Sequence, residues 1–257
     1  LVEKCNDLSG KEWLQYSFSI WRDLTKTKEE KGLKHPASYP VTLCERLLRA
    51  FSRRGGRVID PFNGIGSTMV AAKNLGFEGV GIDLSEEYCD VARNRVGTSS
   101  NIKIINGDAF QIIENLPADY FDICLTSPPY WDILNMKRTA DGKKQNGYSR
   151  NENDLGNIED YKEFVTRLQM LFDKLKRVLK RESYCIINVM DIRKKDKFFP
   201  LHIDLTISLQ SIGYLLDDII IWDRQSEYNN MRPLGYPYKF RINKVHEYVL
   251  IFIKNNK

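Results

Sequence analysis

Asp60-Pro61-Phe62-Asn63-Gly64-Ile65-Gly66-Ser67-Thr68 is the stretch that decides how this chain folds. It follows a short β-branched run at 57–60 and opens an amphipathic helix expected over 67–74. A strand that turns through glycines into a helix puts the turn at the carboxyl edge of a sheet. Ligands bind there, because glycines let them approach the backbone and the helix start offers free N–H groups. A G-x-G pattern alone is weak, since glycines also serve a tight strand-to-helix turn and nothing more. The next two strand ends add to it: one reads Gly81-Ile82-Asp83, the other Gly107-Asp108-Ala109. Asp83 is placed to accept both hydroxyls of a ribose, so three successive strand ends carry nucleoside-type contacts. The spacing from the glycines to Asp83 equally fits a dinucleotide, which keeps nicotinamide and flavin cofactors open at this point.

Outward from this turn the chain alternates strands with helices. Strands are expected at 57–60, 79–83, 102–106, 121–126, 184–190, 217–222 and 246–253. The first five are joined by connections long enough for crossover helices and should run parallel, while the last two can pair antiparallel. The clearest helix is 159–181, where Phe164, Leu168, Leu171, Phe172, Leu175, Val178 and Leu179 share one stripe opposite charged residues. Further helices are expected at 41–52, 86–95 and 201–212, the last stopping before Gly213. Two stretches resist regular structure: 131–157, polar and rich in Gly, Asn, Lys and Arg, and 223–245, where tyrosines, prolines and basic residues interleave. Irregular connections of this length are usually functional or disordered.

Composition narrows the class. The 257 residues are 42% hydrophobic and 28% charged, which suits a globular α/β chain and not a disordered one. No apolar run is long enough to span a bilayer, and residues 1–10 lack the basic-then-apolar layout of a secretory signal, so a cytoplasmic location is expected. Cys5, Cys44, Cys89, Cys124 and Cys185 are scattered and never form a C-x-x-C pair, which argues against a zinc site or a disulfide framework. A net charge of +5 is compatible with a polyanionic partner without requiring one.

The fourth strand runs into Ser127-Pro128-Pro129-Tyr130-Trp131. Two successive prolines neither continue a central strand nor enter a helix, and they fix local φ, so the loop is rigid at the same carboxyl edge. Asp60-Pro61-Phe62-x-Gly64-x-Gly66 together with Thr126-Ser127-Pro128-Pro129-Tyr130 resembles the amino-group DNA methyltransferases, the N4-cytosine group in particular. Ser19-Ile20-Trp21 and His35-Pro36-Ala37-Ser38-Tyr39-Pro40 are similar to the segment that family places before its glycine-rich turn. Asp154-Leu155-Gly156-Asn157, Arg177-Val178-Leu179-Lys180 and His246-Glu247-Tyr248 also fit, so the likeness covers nearly the whole chain. One departure stands out. In the commonest arrangement of this branch the Ser-Pro-Pro-Tyr half comes first and a target-recognition region follows, whereas here the glycine-rich half comes first and no such region is visible.

The resemblance implies an α/β class I S-adenosylmethionine-dependent methyltransferase fold. It would be a single domain over 1–257 with a seven-stranded, mostly parallel sheet and an antiparallel last hairpin. Residues 1–56 would form an N-terminal segment with a cofactor-enclosing helix, 57–126 the cofactor half and 127–257 the catalytic half. It implies S-adenosylmethionine as cofactor, with Asp60, Pro61, Phe62, Gly64, Gly66, Ser67, Thr68, Asp83, Leu84, Asp108 and Ala109 around it, and no metal. For Asp60 two roles stand side by side, a water-mediated hold on the cofactor's amino group or a cap on the following turn. Ser127, Pro128, Pro129 and Tyr130 are the expected catalytic residues. An exocyclic amino nitrogen is a poor nucleophile because its lone pair is delocalised into the ring. If Ser127 Oγ and the Pro128 carbonyl accept its two hydrogens, that pair is localised for in-line methyl transfer. Tyr130 would stack on a base rotated out of the duplex, while Trp131 reads equally as packing. The chain has no Pro-Cys dipeptide for covalent ring-carbon chemistry, and His35, His202 and His246 form no obvious base constellation.

Double-stranded DNA is the expected partner. Lys137, Arg138, Lys143, Lys144 and Arg150 of the first irregular stretch, and Arg224, Arg232, Lys239, Arg241 and Lys244 of the second, would meet its phosphates. A second copy of the chain or a separate target-recognition subunit would complete the assembly, with no membrane involved. Three alternatives remain: an N6-adenine DNA methyltransferase, an RNA guanine amino-methyltransferase, and a catalytically silent subunit of a modification complex.

Overall fold

Between residues 57 and 126 the apolar runs fold as parallel strands separated by helices. The computed structural model describes residues 4–33, 38–132, 153–227 and 233–255. In chain order the strands are β1 (Ile20–Trp21), β2 (Arg57–Asp60), β3 (Glu78–Asp83), β4 (Ile102–Asn106), β5 (Phe121–Thr126), β6 (Leu179–Val189), β7 (Ile192–Lys194), β8 (Lys197–Phe199), β9 (Tyr214–Asp223) and β10 (His246–Lys254). The helices are α1 (Gly10–Tyr16), α2 (Lys28–Gly32), α3 (Val41–Phe51), α4 (Ser67–Leu75), α5 (Glu86–Val96), α6 (Ala109–Glu114), α7 (Tyr161–Val178) and α8 (Leu201–Ser211).

Among the described residues the main sheet has eight strands in the order β1-β9-β10-β6-β5-β2-β3-β4. The stretch from β6 to β4 is parallel, as expected, and β10 lies antiparallel between β6 and β9. The strand count differs from the seven read in the sequence because β1 is two residues long and pairs parallel with β9. Two residues carry no detectable period. The β7–β8 hairpin stands outside the main sheet and was also not foreseen.

β2 contacts β3 on one side and β5 on the other, with Val58 opposite Ile123 and Ile59 opposite Cys124. The chain leaves β2 toward β4 and then returns to the far side of β2 for β5. That reversal opens a crevice at the carboxyl ends of β2 and β5. The glycine-rich turn and the Ser-Pro-Pro-Tyr loop, far apart in sequence, are neighbours for this reason.

Both sheet faces are covered. α3 and α4 bury Leu43, Leu47, Leu48, Met69 and Ala72 with Val58, Ile123, Ile186, Val249 and Ile251 of the sheet. α7 and α8 bury the other face. Asp160 caps α7 by accepting from Glu163 N at 2.8 Å, and the helix buries Phe164, Leu168, Leu171, Phe172, Leu175 and Val178. Each such side chain contributes about 1.5–3 kcal/mol of transfer free energy. α7 ends at Val178, not at 181, because Leu179 pairs with Phe121 as the first residue of β6. The helical stripe and the strand run into each other, and apolar spacing alone does not separate them.

Candidate active site

The crevice is an open cleft with two kinds of wall. One wall comes from the ends of β2, β3 and β4: Pro61, Phe62, Gly64, Ser67, Asp83, Leu84, Asp108 and Ala109 line it. Ser127, Pro128, Pro129 and Tyr130 form the other. Asn153, Asp154 and Leu155 also line the cleft, as do Ser38 and Tyr39 from the segment before α3.

Asp60, Gly66 and Thr68, read from the sequence as part of the cofactor site, are not among the residues that line the cleft. Asp60 is fully buried, and its carboxylate is bonded inside the protein. Oδ1 accepts from Phe62 N at 3.0 Å and Thr126 Oγ1 at 2.6 Å, and Oδ2 from the Tyr39 hydroxyl at 3.1 Å. Tyr39 is in turn 2.5 Å from Thr68 Oγ1. Asp60 therefore ties the ends of β2 and β5 to the N-terminal segment, and burial pushes its pKa up against the hydrogen bonds it accepts. Gly66 has φ +82°, and a Cβ there would lie 2.8 Å from Ala92 Cβ. Glycine is required here by that φ and by the contact between the start of α4 and α5.

The cofactor wall fits a nucleoside. Asp83 Oδ2 accepts from Gly64 N at 2.7 Å and Oδ1 from Ser85 N at 2.9 Å. Each oxygen has a second lone pair and the side chain is only partly buried, so a ribose diol can be met. Leu84, Phe110 and Leu155 supply apolar surface for a flat ring, and Asp108 holds the start of α6 by accepting from Phe110 N at 2.9 Å. Burial, opposed by the two backbone N–H bonds and aided by the nearby Asp60 and Asp154 carboxylates, raises the Asp83 pKa from 3.8 to about 6. Because this pKa is raised, the Asp83 contribution to apo-protein stability is present in acid and is lost as pH rises from about 4 through about 6. A diol that bonds the carboxylate favours its ionised form. Cofactor affinity should therefore weaken as pH falls below about 6, and binding near that pH should release protons. Titration calorimetry at pH 6 in buffers of different ionisation enthalpy reads this directly; a binding enthalpy independent of buffer would remove Asp83 from the diol contact.

At the second wall, Ser127 Oγ lies 3.0 Å from the Asn188 carbonyl, to which it donates, and 3.1 Å from the Tyr130 hydroxyl. Tyr130 is buried and donates to Glu247 Oε2 at 2.7 Å, and Asn188 Nδ2 donates to both Tyr130 Oη and Glu247. Trp131 is packing: it is 4% exposed, donates from Nε1 to the Ile158 carbonyl at 2.8 Å and nests between Tyr161 and Phe199. Its φ of +53° is costly for a bulky side chain, and that burial holds it there.

Glu247 and Asn188 were not read as site residues, and Arg224 was read only as a phosphate contact. The available signal was Glu247 itself, a charge at the start of β10 directly before its apolar run. The histidine reading also changes, since Asp191, buried between β6 and β7, lies 2.6 Å from His202 Nδ1, whose ring stacks on Tyr248 with centroids 3.8 Å apart. Sequence separation hid that pair.

The expected DNA contacts divide. Lys137, Arg138, Lys143, Lys144, Arg150 and Arg232 lie outside the described residues. Lys239 is exposed beside Tyr238 and Phe240, which are 95% and 94% exposed. Lys244 stands 4.8 Å over the Phe198 ring. Arg241 is engaged by the Lys195 carbonyl and the Asp196 carboxylate. Arg224 is corrected outright: it faces inward, ion-paired to Glu247 and Glu227. Among the described residues no cluster of His, Cys, Asp and Glu is arranged to hold a metal, and no helix is long and apolar enough to cross a membrane.

This sheet order, with a nucleoside-shaped wall at the switch point, is the fold of S-adenosylmethionine-dependent methyltransferases, and S-adenosylmethionine is the cofactor. A solved methyltransferase of this type from Methanosarcina mazei is similar over 86% of this chain and 100% of its own, with a TM-score of 0.52 and 12% identity. The chain belongs to the N6/N4 DNA methylase family, whose model matches residues 3–94 and 121–257. The type II methyltransferase M2.DpnII of Streptococcus pneumoniae is 42% identical over 97 residues, 37% of this chain and 34% of the relative. Type II methyltransferase M2.LlaDCHI of Lactococcus lactis is 38% identical over 78 residues, 30% of this chain and 29% of the relative. The matched part is thus about a third of the length of these curated relatives.

Proposed function

We propose that this chain transfers a methyl group to the exocyclic amino nitrogen of cytosine in double-stranded DNA, giving N4-methylcytosine, as part of a DNA-modification system. The observation that carries this reading is the orientation of Ser127, which spends its own proton on an inward acceptor while lining the cleft opposite the nucleoside wall. A hydroxyl so engaged presents lone pairs outward, which is what an amino group needs. S-adenosylmethionine, when bound, supplies an electrophilic methyl group. Ser127 Oγ and the Pro128 carbonyl accept the two amino hydrogens, and the nitrogen's lone pair is localised and aimed across the cleft. A neutral hydroxyl is not a base near neutral pH, so the proton leaves after transfer, from a positively charged and strongly acidic amine. The base reaches this cleft rotated out of the duplex, with the Tyr130 ring beside it. Exposed Lys239 and the basic residues of 133–152 supply phosphate contacts.

Serine in the first loop position resembles the cytosine group, and the type II relatives support a DNA substrate. Incubation with S-adenosylmethionine and unmethylated genomic DNA, digestion to nucleosides and mass spectrometry should yield N4-methylcytosine. N6-methyladenine as sole product would move the reading to the adenine branch, and 5-methylcytosine would overturn direct amino transfer. Label found only in RNA would remove DNA as substrate.

A further inference from the structure

Ser127, Tyr130, Asn188, Glu247 and Arg224 form one connected set of hydrogen bonds from the loop after β5 to the segment after β9. Counting protons along it gives a definite polarity. Glu247 is 3% exposed, and its carboxylate, ion-paired to Arg224 through Oε1, has only acceptors to offer. Oε2 takes the single Tyr130 proton at 2.7 Å and one hydrogen of the Asn188 amide. The other amide hydrogen goes to Tyr130 Oη at 3.1 Å, which fixes Asn188 with nitrogen, not oxygen, toward Glu247 and Tyr130. Among the described residues the two partners of Ser127 Oγ are the Asn188 carbonyl and Tyr130 Oη, and with the Tyr130 proton committed to Glu247 both are acceptors. Ser127 therefore donates inward and receives no hydrogen bond from the described residues.

We propose that Glu247, held by Arg224, is a positioning residue that keeps the Tyr130 proton away from Ser127, so that Ser127 Oγ remains an acceptor for the substrate amino group. This rests on the amino-methyltransferase reading above. The chemistry of a glutamine at this position shows the consequence. With its oxygen still turned to Arg224, the amide nitrogen of Glu247→Gln faces Tyr130 Oη and donates to it. Asn188 can then turn its oxygen, which has no partner among the described residues, toward that nitrogen. The Tyr130 proton, displaced from its acceptor, is shared between the turned Asn188 oxygen and Ser127 Oγ, both about 3.1 Å away, and at Ser127 it occupies a lone pair that an amino hydrogen would use.

Three variants, Glu247→Gln, Tyr130→Phe and the double variant, test this in single-turnover methyl transfer to genomic DNA at saturating cofactor. Glu247→Gln should slow transfer about 10–100-fold, the rate equivalent of one charge-assisted hydrogen bond, with cofactor affinity unchanged. Adding Tyr130→Phe to it should raise the rate again, about tenfold, because the misdirected donor is gone. A merely structural role predicts the opposite, since a second lost hydrogen bond would slow the enzyme further or leave it unchanged, and either result overturns the proposal. A readout without turnover separates this from the broader reading. With tyrosine labelled with carbon-13 at the ring Cζ, the resonance missing in Tyr130→Phe should shift in Glu247→Gln and stay close to its wild-type position in Arg22→Gln, an exposed control. An unmoved Tyr130 resonance in Glu247→Gln overturns the proposal even if no methylation is found. Wild-type protein that methylates no DNA defeats the functional reading instead.

Discussion

Ser127→Ala should lower methyl transfer by on the order of 10²–10³-fold while leaving S-adenosylmethionine affinity within about twofold of wild type. The serine lines the second wall of the cleft, and among the described residues its hydroxyl bonds only to groups of β6 and of its own loop. Nothing on the nucleoside wall depends on it. Asp83→Ala should do the reverse. Each Asp83 oxygen already holds one backbone N–H of the turns that shape the cofactor wall. Its loss should weaken cofactor binding by about 1–3 kcal/mol, with transfer at saturating cofactor much less affected. Calorimetry and single-turnover kinetics on the two variants separate binding from chemistry. Equal damage to cofactor affinity from both would refute the division of the cleft into two walls.

Asp60→Ala should be the most destabilising single change at the site, by about 3–5 kcal/mol in denaturant unfolding, through structure and not through lost cofactor contact. Its carboxylate accepts from the Phe62 amide, Thr126 and Tyr39, which belong to three separate segments. Removing it leaves buried donors unpaired as well as a cavity. Asp60→Asn keeps an acceptor and the volume while removing a charge that burial already opposes, so it should cost clearly less. The order of the two midpoints is the diagnostic. If the Asn variant is as unstable as the Ala variant, the charge and not the hydrogen-bond geometry is what holds β2 to β5.

The glycine-rich turn illustrates how far local reading reaches. Asp83 and Asp108 were legible because each follows a glycine-containing strand end, and a strand end in a parallel sheet has one edge on which to display its next residue. Phe62, Gly64 and Ser67 line the cleft for the same reason. Asp60 and Gly66 belong to the same nine residues but serve the interior. Whether a turn residue faces a ligand or a neighbouring helix depends on what is packed behind it, here Ala92 of α5 for Gly66 and Tyr39 for Asp60. No spacing rule encodes that neighbour. Arg224 is the sharper case. In sequence it belongs to a basic, tyrosine-rich irregular stretch, the usual look of a phosphate-binding surface. In the fold, β10 returns between β9 and β6 and brings Glu247 beneath it.

The sequence by itself determined the parallel α/β core, the glycine-rich turn at its carboxyl edge and the Ser-Pro-Pro-Tyr loop. Those properties are written in runs of adjacent residues, where strand period, glycine and proline act over a few positions. Only the tertiary structure decided that the loop's serine faces no donor among the described residues, that Glu247 and Arg224 stand behind it, and that Asp191 reaches His202. These pairings join residues 11 to 117 positions apart, through strands whose order in the sheet differs from their order in the chain. A buried hydrogen bond has its direction set by which partners the closed fold supplies, and that supply exists only once the sheet has formed.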